Sequence, residues 1–549
     1  MSHQPERLTP SFRPTQTAKH PPCQVNCPNC GDVRGWIGIV AQRDKLGLSR
    51  EEAYTRAWRA ITDVNPFPSV LGRVCPHPCE SHCNRSTFDE PVAINAMERF
   101  LGDWALAQGL PLVRLEDGSP RESIGVVGAG PSALSFAYQL ARRRYRVTVY
   151  ERGPLPGGML RYGIPDYRLP PEILDAEIQR ILDLGVELRL ETQAGLHVTL
   201  EELRARHDAL YLGMGAQKGR GLDIPGEAGP SVWTGTEYLQ RVNNGEAVDL
   251  GRRVVVVGGG NTAVDAARSA RRTGAGVTIL YRRSRTEMPA IAKEIEDALD
   301  EGVMLLLQAA PVRLERKKDE LRSLVACGIA LGQPDASGRR RPVVIPNSEF
   351  VIPTDSVIAA VSQEPDMTGF ESLASDGGRL SADDSGAIDS WLWTGGDVVG
   401  LGIAAEAIVQ GRFAAEALHA RFRGLPPKPR LDGVRRPIGP EGILEEFYDR
   451  KPAVHPARLP PLARLGSPGA EVTAGIGERE FLDEASRCFS CGACFGCRQC
   501  EMYCTAHCFT TLDDAGLGRY FSLSPDACEE CGKCVAICPC GYLELAPHL

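Results

Sequence analysis

The sequence predicts an α/β multidomain protein, with two Rossmann-like domains between a helical domain at the N-terminus and a small α+β domain at the C-terminus. The first observation behind this prediction is length, because 549 residues exceed one core on the scale of roughly 100 to 200 residues per domain. The second is that two central segments repeat the order strand, glycine turn, helix, strand. The third is that cysteines cluster near the two ends, while the middle holds only Cys327.

Composition and charge exclude two classes of partner. Lysine and arginine total 62 against 70 aspartate and glutamate, and the net charge of −8 gives no general attraction to nucleic acid or anionic lipid. The first residues contain no signal-peptide core, and no stretch approaches the roughly 18 apolar residues of a membrane span. We therefore expect a cytoplasmic protein with no nucleic-acid or membrane partner. In a reducing compartment, 19 cysteines point to metal or iron–sulfur ligation rather than disulfides.

The helical N-terminal domain is expected over residues 20–120. Two cysteine-rich motifs, PPCQVNCPNC and GRVCPHPCESHCNR, flank a stretch that reads as helical. The cysteines that organise this domain are Cys23, Cys27, Cys75, Cys79 and Cys83. Their spacing is that of an iron–sulfur or metal domain rather than of a disulfide framework.

The first dinucleotide site is expected in a domain formed by residues 121–235 and 345–423. In VVGAGPSA, Gly128 and Gly130, with Ala133 at the third position, follow an apolar strand and open a helix. Such glycines allow close approach to a pyrophosphate, and the helix N-terminus supplies N–H groups. Glu151, followed by Arg152, ends the next strand, where an acid binds ribose hydroxyls.

The second dinucleotide site is expected in residues 236–344. Gly258, Gly260, Asn261 and Thr262 follow a second apolar strand in the same context. The next strand ends in Arg282 and Arg283 rather than in an acid, and adjacent arginines can pair with a 2′-phosphate. This favours NADP over NAD, the alternative being two arginines on a solvated loop.

Three longer motifs resemble those of one family. PGGMLRYGIPDYRLP, YRRSRTEMPA and WTGGDVVGLGIAAEAIVQGRFAAEAL are similar to motifs of the glutamate synthase small (β) subunit family of NAD(P)H/FAD iron–sulfur oxidoreductases. The likeness covers about residues 20 to 425. It implies that Gly158 and Met159 pack beside a flavin, that Gly396 and Asp397 contact the FAD chain, and that a helix after Gly402 points at the flavin ring.

The C-terminal cysteines follow a proline-rich segment, residues 424–475, that predicts a linker. Within residues 476–549, two runs have the spacing C-x-x-C-x-x-C-x-x-x-C: Cys494, Cys497, Cys500 and Cys504, then Cys528, Cys531, Cys534 and Cys538. This is the bacterial ferredoxin spacing for two [4Fe–4S] clusters, in which the fourth cysteine of each run ligates the other cluster. A zinc ribbon would leave half of these thiols unexplained. Cys508 and Cys540 are expected to be packing thiols.

The family resemblance also implies two [4Fe–4S] clusters in the N-terminal domain. Relatives carry an EA-x-R-C-L-x-C segment just before the equivalent of PPCQVNC, but here it is missing, and EASRCFSC stands instead at residues 484–491. We therefore predict that Cys488 and Cys491 join Cys23 and Cys83 at one cluster, while Cys27, Cys75, Cys79 and Glu98 hold a second. Two readings remain open, namely that Cys488 and Cys491 are free thiols and that Glu98 is a surface glutamate. Cys30 is expected to be a non-ligand.

Together these features predict an enzyme, an NAD(P)H-dependent flavin and iron–sulfur oxidoreductase. Electrons would pass between NADPH, FAD, four [4Fe–4S] clusters and a redox partner, either a ferredoxin or a larger oxidoreductase complex. No catalytic side chain is expected, because the cofactors carry the chemistry. One alternative is an electron-transfer subunit of a glutamate synthase, a bifurcating transhydrogenase, a 2-oxoacid:ferredoxin oxidoreductase or a dissimilatory sulfite reductase. Another is a carrier with vestigial nucleotide sites. The split cluster could form within one chain or across a homodimer.

Overall fold

The computed structural model describes residues 11–119, 121–336, 338–375, 377–426 and 437–548. These residues form two compact units. The terminal unit contains the described residues of Met1–Leu112, Lys428–Pro456 and Gly475–Leu549, and the central unit contains those of Val113–Pro427 and Ala457–Ala474. Segments from both ends of the chain therefore fold into one unit.

The N-terminal part of the terminal unit is one strand followed by helices, which confirms the helical prediction. The elements are β1 (Ser11–Gln16), α1 (Pro22–Val25), α2 (Val33–Ala41), α3 (Arg50–Thr62), α4 (Pro68–Val74), α5 (Pro78–Ser81) and α6 (Ile94–Ala107). Prolines occupy the first turn of α1, α4 and α5, where a missing N–H costs no helical hydrogen bond. These short helices place Cys23 in α1, Cys75 just after α4 and Cys79 in α5.

The central unit begins with a strand–helix–strand unit. Its elements are β2 (Ser123–Val127), α7 (Pro131–Ala141), β3 (Arg146–Tyr150), α8 (Met159–Tyr162), α9 (Pro171–Leu182), β4 (Glu187–Arg189), α10 (Leu200–Arg206) and β5 (Ala209–Leu212). Strands β2 and β3 are almost fully buried, as expected for a parallel sheet covered on both faces.

A second unit of the same kind follows. Its elements are β6 (Lys218–Gly219), β7 (Val232–Thr234), α11 (Gly235–Asn243), β8 (Arg253–Val257), α12 (Asn261–Arg272), β9 (Gly276–Tyr281), α13 (Ala292–Asp300), β10 (Met304–Leu307), β11 (Ala309–Lys317), β12 (Glu320–Pro334), β13 (Arg340–Pro353) and β14 (Ser356–Ala359). The strand order of this parallel sheet is β10-β9-β8-β14-β7. Strands β11, β12 and β13 form an antiparallel sheet inserted between β10 and β14.

The central unit ends with elements that return to the first sheet. They are β15 (Gln363–Glu364), β16 (Leu392–Thr394), α14 (Ala404–Arg423) and α15 (Pro461–Gly466). Strand β16 completes the first parallel sheet, whose order is β16-β5-β2-β3-β4. Both Rossmann-like sheets are therefore present, as predicted.

The sheets place the border between the two nucleotide domains differently from the sequence. The prediction assigned residues 236–344 to the second domain, but β7 and β14 both pair within the second sheet. That sheet therefore uses residues on both sides of the expected range. The sequence of a short apolar strand does not show which of two similar parallel sheets it joins, because tertiary contacts decide the pairing.

The C-terminal part of the terminal unit contains α16 (Glu478–Arg487), α17 (Gln499–Tyr503), β17 (Phe509–Gly516), β18 (Arg519–Leu523), α18 (Lys533–Ala536) and β19 (Leu543–His548). Strand β19 pairs with β1 in antiparallel register, from Ser11 opposite His548 to Gln16 opposite Leu543. The ferredoxin-like segment is thus completed by a strand from the chain's other end. Within the described ranges, no helix is long and apolar enough to cross a membrane.

The predicted linker, residues 424–475, is divided between the units in its described part. Residues 437–456 belong to the terminal unit and contain two 3₁₀ turns, Pro440–Gly442 and Glu445–Phe447. Residues 457–474 belong to the central unit, where the Val472 N–H donates to the Tyr167 carbonyl at 2.9 Å. This segment therefore packs on each unit rather than acting as a free spacer.

Candidate cofactor sites

The first nucleotide pocket lies at the carboxyl end of β2 and β3. It is lined by Gly128, Glu151 and Arg152, among others. The Glu151 carboxylate accepts hydrogen bonds from the Ala129 and Gly153 N–H groups, both at 2.8 Å. Burial raises the pKa of Glu151. Each carboxylate oxygen keeps a second lone pair, so this acid can still accept from ribose hydroxyls.

Glycines let three backbone segments approach closely beside this pocket. Gly128 has φ +92°, and a Cβ there would lie 2.6 Å from the carbonyl oxygen of Gly213. Gly158, immediately before Met159 and α8, would place a Cβ 2.8 Å from Gly130 Cα. Only glycine fits such positions. Ala133, the third position of the motif, is fully buried at the start of α7.

The segment before α14 brings Gly396 and Asp397 to the same domain. A Cβ on Gly396 would lie 2.9 Å from Ser132 Cβ, so this turn packs directly against α7. Asp397 Oδ1 accepts from the Gly402 N–H at 3.1 Å, and burial raises the pKa of this carboxyl group. The expected helix begins at Ala404, just after this turn.

The second nucleotide pocket is a cavity of about 870 Å³. One part is lined by the glycine turn of the second sheet and the start of α12, residues Gly258, Gly259, Gly260, Asn261 and Thr262. Another part is lined by Asp397 and Gly402 of the FAD-type domain. Gly258 has φ +149°, and a Cβ there would collide with the carbonyl oxygen of Ala360. This cavity can therefore hold an extended dinucleotide that reaches from the glycine turn to the turn that contains Asp397.

The structure separates the roles of the two predicted arginines. Arg282 is exposed and lines the cavity. Arg283 also reaches the cavity, but its side chain is only 5% exposed and is occupied by two partners. Its Nη2 donates to Asp335 Oδ2 at 2.8 Å, and its Nε donates to the Arg340 carbonyl oxygen at 2.7 Å.

Four cysteines from both ends of the chain line one small cavity in the terminal unit. We call these residues the split set: Cys23, Cys83, Cys488 and Cys491. Burial raises the pKa of the Cys23 thiol, and the nearby Cys488, Cys491 and Cys83 raise it further. The structure therefore brings the predicted residues together within one chain.

Buried ion pairs hold the two ends of the chain at this cavity. The Arg487 side chain, at the end of α16, is 2% exposed and donates to Asp89 Oδ1 at 3.1 Å and also to Glu484. Arg85, also 2% exposed, pairs with Asp89 and donates to the Arg487 carbonyl oxygen at 2.6 Å. Glu484 accepts in turn from the Ala93 N–H at 2.8 Å. Sequence reasoning missed these charged residues, because they look like ordinary surface positions on helices and turns.

A second group in the terminal unit, here called the N-terminal set, consists of Cys27, Cys75, Cys79 and Glu98. Burial, with a smaller contribution from the nearby Glu98, raises the pKa of Cys27 to about 11 and that of Cys75 to about 12. Burial also raises the pKa of Glu98 to about 7. Its carboxylate accepts from Asn65 Nδ2 at 2.8 Å. A buried carboxyl group whose charge acts on the thiols of Cys27, Cys75 and Cys79 does not fit the reading of Glu98 as a surface glutamate.

The ferredoxin-like cysteines group in the crossed pattern that the spacing predicts. The first ferredoxin set is Cys494, Cys497, Cys500 and Cys538, and burial together with the three other cysteines raises the pKa of Cys500 to about 12. The second ferredoxin set is Cys504, Cys528, Cys531 and Cys534, which line one pocket together. The fourth cysteine of each run thus lies with the other run.

The two extra thiols of this region contact these sets. Cys540 Sγ lies 4.0 Å from Cys538 Sγ, and hydrogen bonding from Cys540 lowers the pKa of Cys538 to about 6. The Cys508 N–H donates to Cys504 Sγ at 3.3 Å. Both residues were expected only to pack. Cys540 contacts Cys538 of the first ferredoxin set through its thiol, and Cys508 contacts Cys504 of the second ferredoxin set through its backbone N–H.

The donor chemistry of these groups fits [4Fe–4S] clusters. Each thiolate of such a cluster binds a different iron, so the donors stand further apart than around a single ion. Among the described residues, no group of three or more His, Cys, Asp or Glu side chains is arranged to hold a single metal ion.

Two family profiles match the chain. The profile described as pyridine nucleotide-disulphide oxidoreductase matches residues 122–411. The profile described as dihydropyrimidine dehydrogenase domain II, 4Fe-4S cluster, matches residues 9–110. The two matched ranges contain both glycine turns and every N-terminal cysteine discussed above.

Curated relatives extend this likeness. The chain is 34% identical over 517 residues to the NADP(+)-dependent formate dehydrogenase subunit beta of Moorella thermoacetica, a match covering 88% of this chain and 71% of that protein. It is 39% identical over 354 residues to the NADPH-Fe(3+) oxidoreductase subunit beta of Geobacter sulfurreducens, covering 63% of this chain but only 51% of that protein. It is 34% identical over 425 residues to the glutamate synthase [NADPH] small chain of Azospirillum brasilense, covering 73% and 86% of the two chains.

Proposed function

This chain belongs to the pyridine nucleotide-disulphide oxidoreductase family, with a glutamate synthase small-chain-like architecture, and we propose that it moves electrons between NADPH and a redox protein partner. It is an NAD(P)H-dependent flavin and iron–sulfur oxidoreductase. When bound, FAD exchanges a hydride with NADPH and single electrons with the iron–sulfur clusters. The observation that carries the proposal is the cavity lined by the split set, because it links the N-terminal and ferredoxin-like cysteines in one chain.

The chain's own residues would hold each group. Gly128, Gly130 and the start of α7 would bind the FAD pyrophosphate, with Glu151 on the ribose. Gly258, Gly260 and the start of α12 would bind that of NADPH. The names of these relatives include NADP(+) or NADPH, and the arginines at the second site support the same coenzyme here.

We propose four [4Fe–4S] clusters in a row whose order follows from the chain. Each pair of neighbouring sets contains two cysteines, one from each set, that are only three or four residues apart in sequence. The Cα atoms of these two cysteines are therefore at most about 11 to 14 Å apart. The pairs that join neighbouring sets are Cys23 with Cys27, Cys79 with Cys83, Cys491 with Cys494, Cys500 with Cys504 and Cys534 with Cys538. The order is therefore N-terminal set, split set, first ferredoxin set, second ferredoxin set.

We propose that electrons pass between this chain and its partner at the second ferredoxin set, which is at one end of the row. Cys531 of the second ferredoxin set is the only exposed thiol among the cysteines, all of which lie in the described ranges. An electron carrier needs its terminal cluster near the surface, because its partner must come close to it. We propose a cytoplasmic ferredoxin or larger redox complex as that partner, since a reducing compartment keeps these thiols available for ligation.

A second candidate is an electron-transfer subunit that acts only within a complex. Two relatives are named as subunits and a third as a small chain, which favours this alternative. A homodimer is not needed to complete the split set, because one chain supplies all four thiols.

Anaerobic reduction of a viologen dye separates the two candidates. We expect the purified, FAD-loaded chain to reduce the dye with NADPH, and less efficiently with NADH. A protein that binds FAD but reduces no dye with either coenzyme would make it a carrier only. Equal or better efficiency with NADH would overturn the assignment of the coenzyme.

A further inference from the structure

The antiparallel sheet inserted into the second nucleotide domain ends in a tight turn between β12 and β13. At this turn the Asp335 N–H donates to the Arg339 carbonyl at 2.7 Å, and the Gly338 N–H donates to the Asp335 carbonyl at 2.9 Å. We call residues 335, 336 and 338–340 the hairpin tip, and the statements below concern Asp335, Arg339 and Arg340.

Two contacts fasten the hairpin tip to the loop after β9. Arg283 binds the Asp335 carboxylate at 2.8 Å and the Arg340 carbonyl at 2.7 Å. Arg340 in turn donates to Glu287, from its N–H at 2.9 Å and from its Nε at 3.1 Å. These Arg340 bonds, together with those from Ser284, lower the pKa of Glu287 to about 2, so its carboxylate stays charged at neutral pH.

This fastening sets Arg339 at the wall of the NADPH cavity. Arg339 and Arg282 both line the cavity that contains the glycine turn Gly258–Gly260. Arg220 and Arg283 also line the cavity, but the Arg283 guanidinium is bound to the hairpin tip. Arg282 and Arg339 thus reach the cavity from two separate segments, the loop after β9 and the hairpin tip.

We propose that Arg339, together with Arg282, binds the 2′-phosphate of NADPH, and that Arg283 is a positioning residue that holds the hairpin tip in place. The proposal rests on the proposed use of NADPH. An arginine guanidinium can give a phosphate two parallel hydrogen bonds, and two such groups enclose it better than one. The phosphate is thus recognised in part by a segment far from the dinucleotide motif in sequence.

The test measures binding of two small probes by calorimetry, with no need for turnover. The probe 2′,5′-ADP carries the 2′-phosphate, and 5′-AMP lacks it. For Arg339→Ala we expect about tenfold weaker binding of 2′,5′-ADP, the loss typical of one charge-assisted contact. Binding of 5′-AMP should not change. The matched control is Arg341→Ala, which removes an exposed arginine two residues away that does not line the cavity.

The role of Arg283 is tested by a double-mutant cycle. If Arg283 acts only by holding the hairpin tip, Arg283→Ala should weaken 2′,5′-ADP binding, and adding Arg339→Ala should weaken it no further. Losses that add in the double variant would mean that Arg283 contacts the phosphate directly and would overturn its positioning role. Unchanged 5′-AMP binding in each variant checks that the domain remains folded.

The test distinguishes a wrong coenzyme from a wrong role for Arg339. If the wild-type protein binds 2′,5′-ADP no better than 5′-AMP, the proposed coenzyme is wrong. If the wild type prefers 2′,5′-ADP but Arg339→Ala behaves like Arg341→Ala, only the role of Arg339 is wrong. Arg339→Lys should fall between the wild type and Arg339→Ala, because lysine keeps the charge without the bidentate fork.

Discussion

The split set and the two ferredoxin sets each consist of four cysteine thiols but are assembled in different ways. The ferredoxin sets come from one segment, residues 494–538, whose two cysteine runs lie close in sequence. The split set takes Cys23 and Cys83 from one end of the chain and Cys488 and Cys491 from the other. The first kind of site can form from one contiguous segment, whereas the second exists only when the two chain ends pack together.

Bringing the two chain ends together adds only a modest entropic cost of loop closure. The chain between Cys83 and Cys488 is about 400 residues long, against about 24 between Cys504 and Cys528. The entropic cost of closing a loop grows only with the logarithm of its length. The difference is about 2.5 kcal/mol on that scale. The buried ion pairs among Arg85, Asp89 and Arg487 and the β1–β19 pairing are contacts that join segments from the two ends of the chain.

The largest expected effect comes from removing the C-terminal half of the split set. Cys488→Ser/Cys491→Ser should lower the iron content from about sixteen to about twelve, since one of four cubane clusters is lost. Iron analysis and EPR spectroscopy of the reduced protein measure this. Cys30→Ser, which removes a thiol that we place outside all four sets, should change neither. An unchanged iron content and spectrum in the double variant would mean that the split cluster does not exist.

The next effect comes from loosening the contact between the chain ends while keeping every cysteine. Arg487→Met removes the ion-pair partner of the buried Glu484 and leaves Asp89 paired with Arg85 alone, which should cost about 3 to 5 kcal/mol of unfolding free energy. Chemical denaturation followed by cluster absorbance measures this loss, and the EPR signal of the split set should weaken first.

The control for this variant lies on the same helix. Arg479, in α16, is 95% exposed and pairs with Asp483 at 3.8 Å, so Arg479→Met should have no measurable effect on stability. If both variants unfold alike, the buried arginine does not hold the two chain ends together.

The smallest effect concerns the one set with a carboxylate. Glu98→Cys would give the N-terminal set four thiolates, as in the ferredoxin sets, so the iron content should stay the same while the EPR spectrum of this cluster shifts. Glu51→Cys, at an exposed position of α3, is the matched control and should alter neither. A spectrum that does not move would make Glu98 a buried glutamate bound to Asn65 and not a ligand.

Several features could be predicted because they depend on short-range patterns. The glycine turns around Gly128 and Gly258, and the placement of Cys504 and Cys538 each with the other cysteine run, follow from the spacing of short motifs. The sheet that β7 and β14 join, the strand pairing of β1 with β19 and the hairpin tip at the NADPH cavity do not. The sequence of a short apolar strand does not show which strand it pairs with, and the sequence around an arginine does not show whether that arginine is buried.

The sequence by itself determined the classes of site in this protein, namely two dinucleotide turns and cysteine groups for clusters, because residue type and local spacing set the ligand chemistry. It also predicted the split set, since a segment expected before Cys23 appears at residues 484–491. Only the tertiary structure decided that one chain brings the two halves together and that Arg283 is already bound to Asp335. The physical reason is that such contacts join residues far apart in sequence, and their geometry depends on how whole units pack.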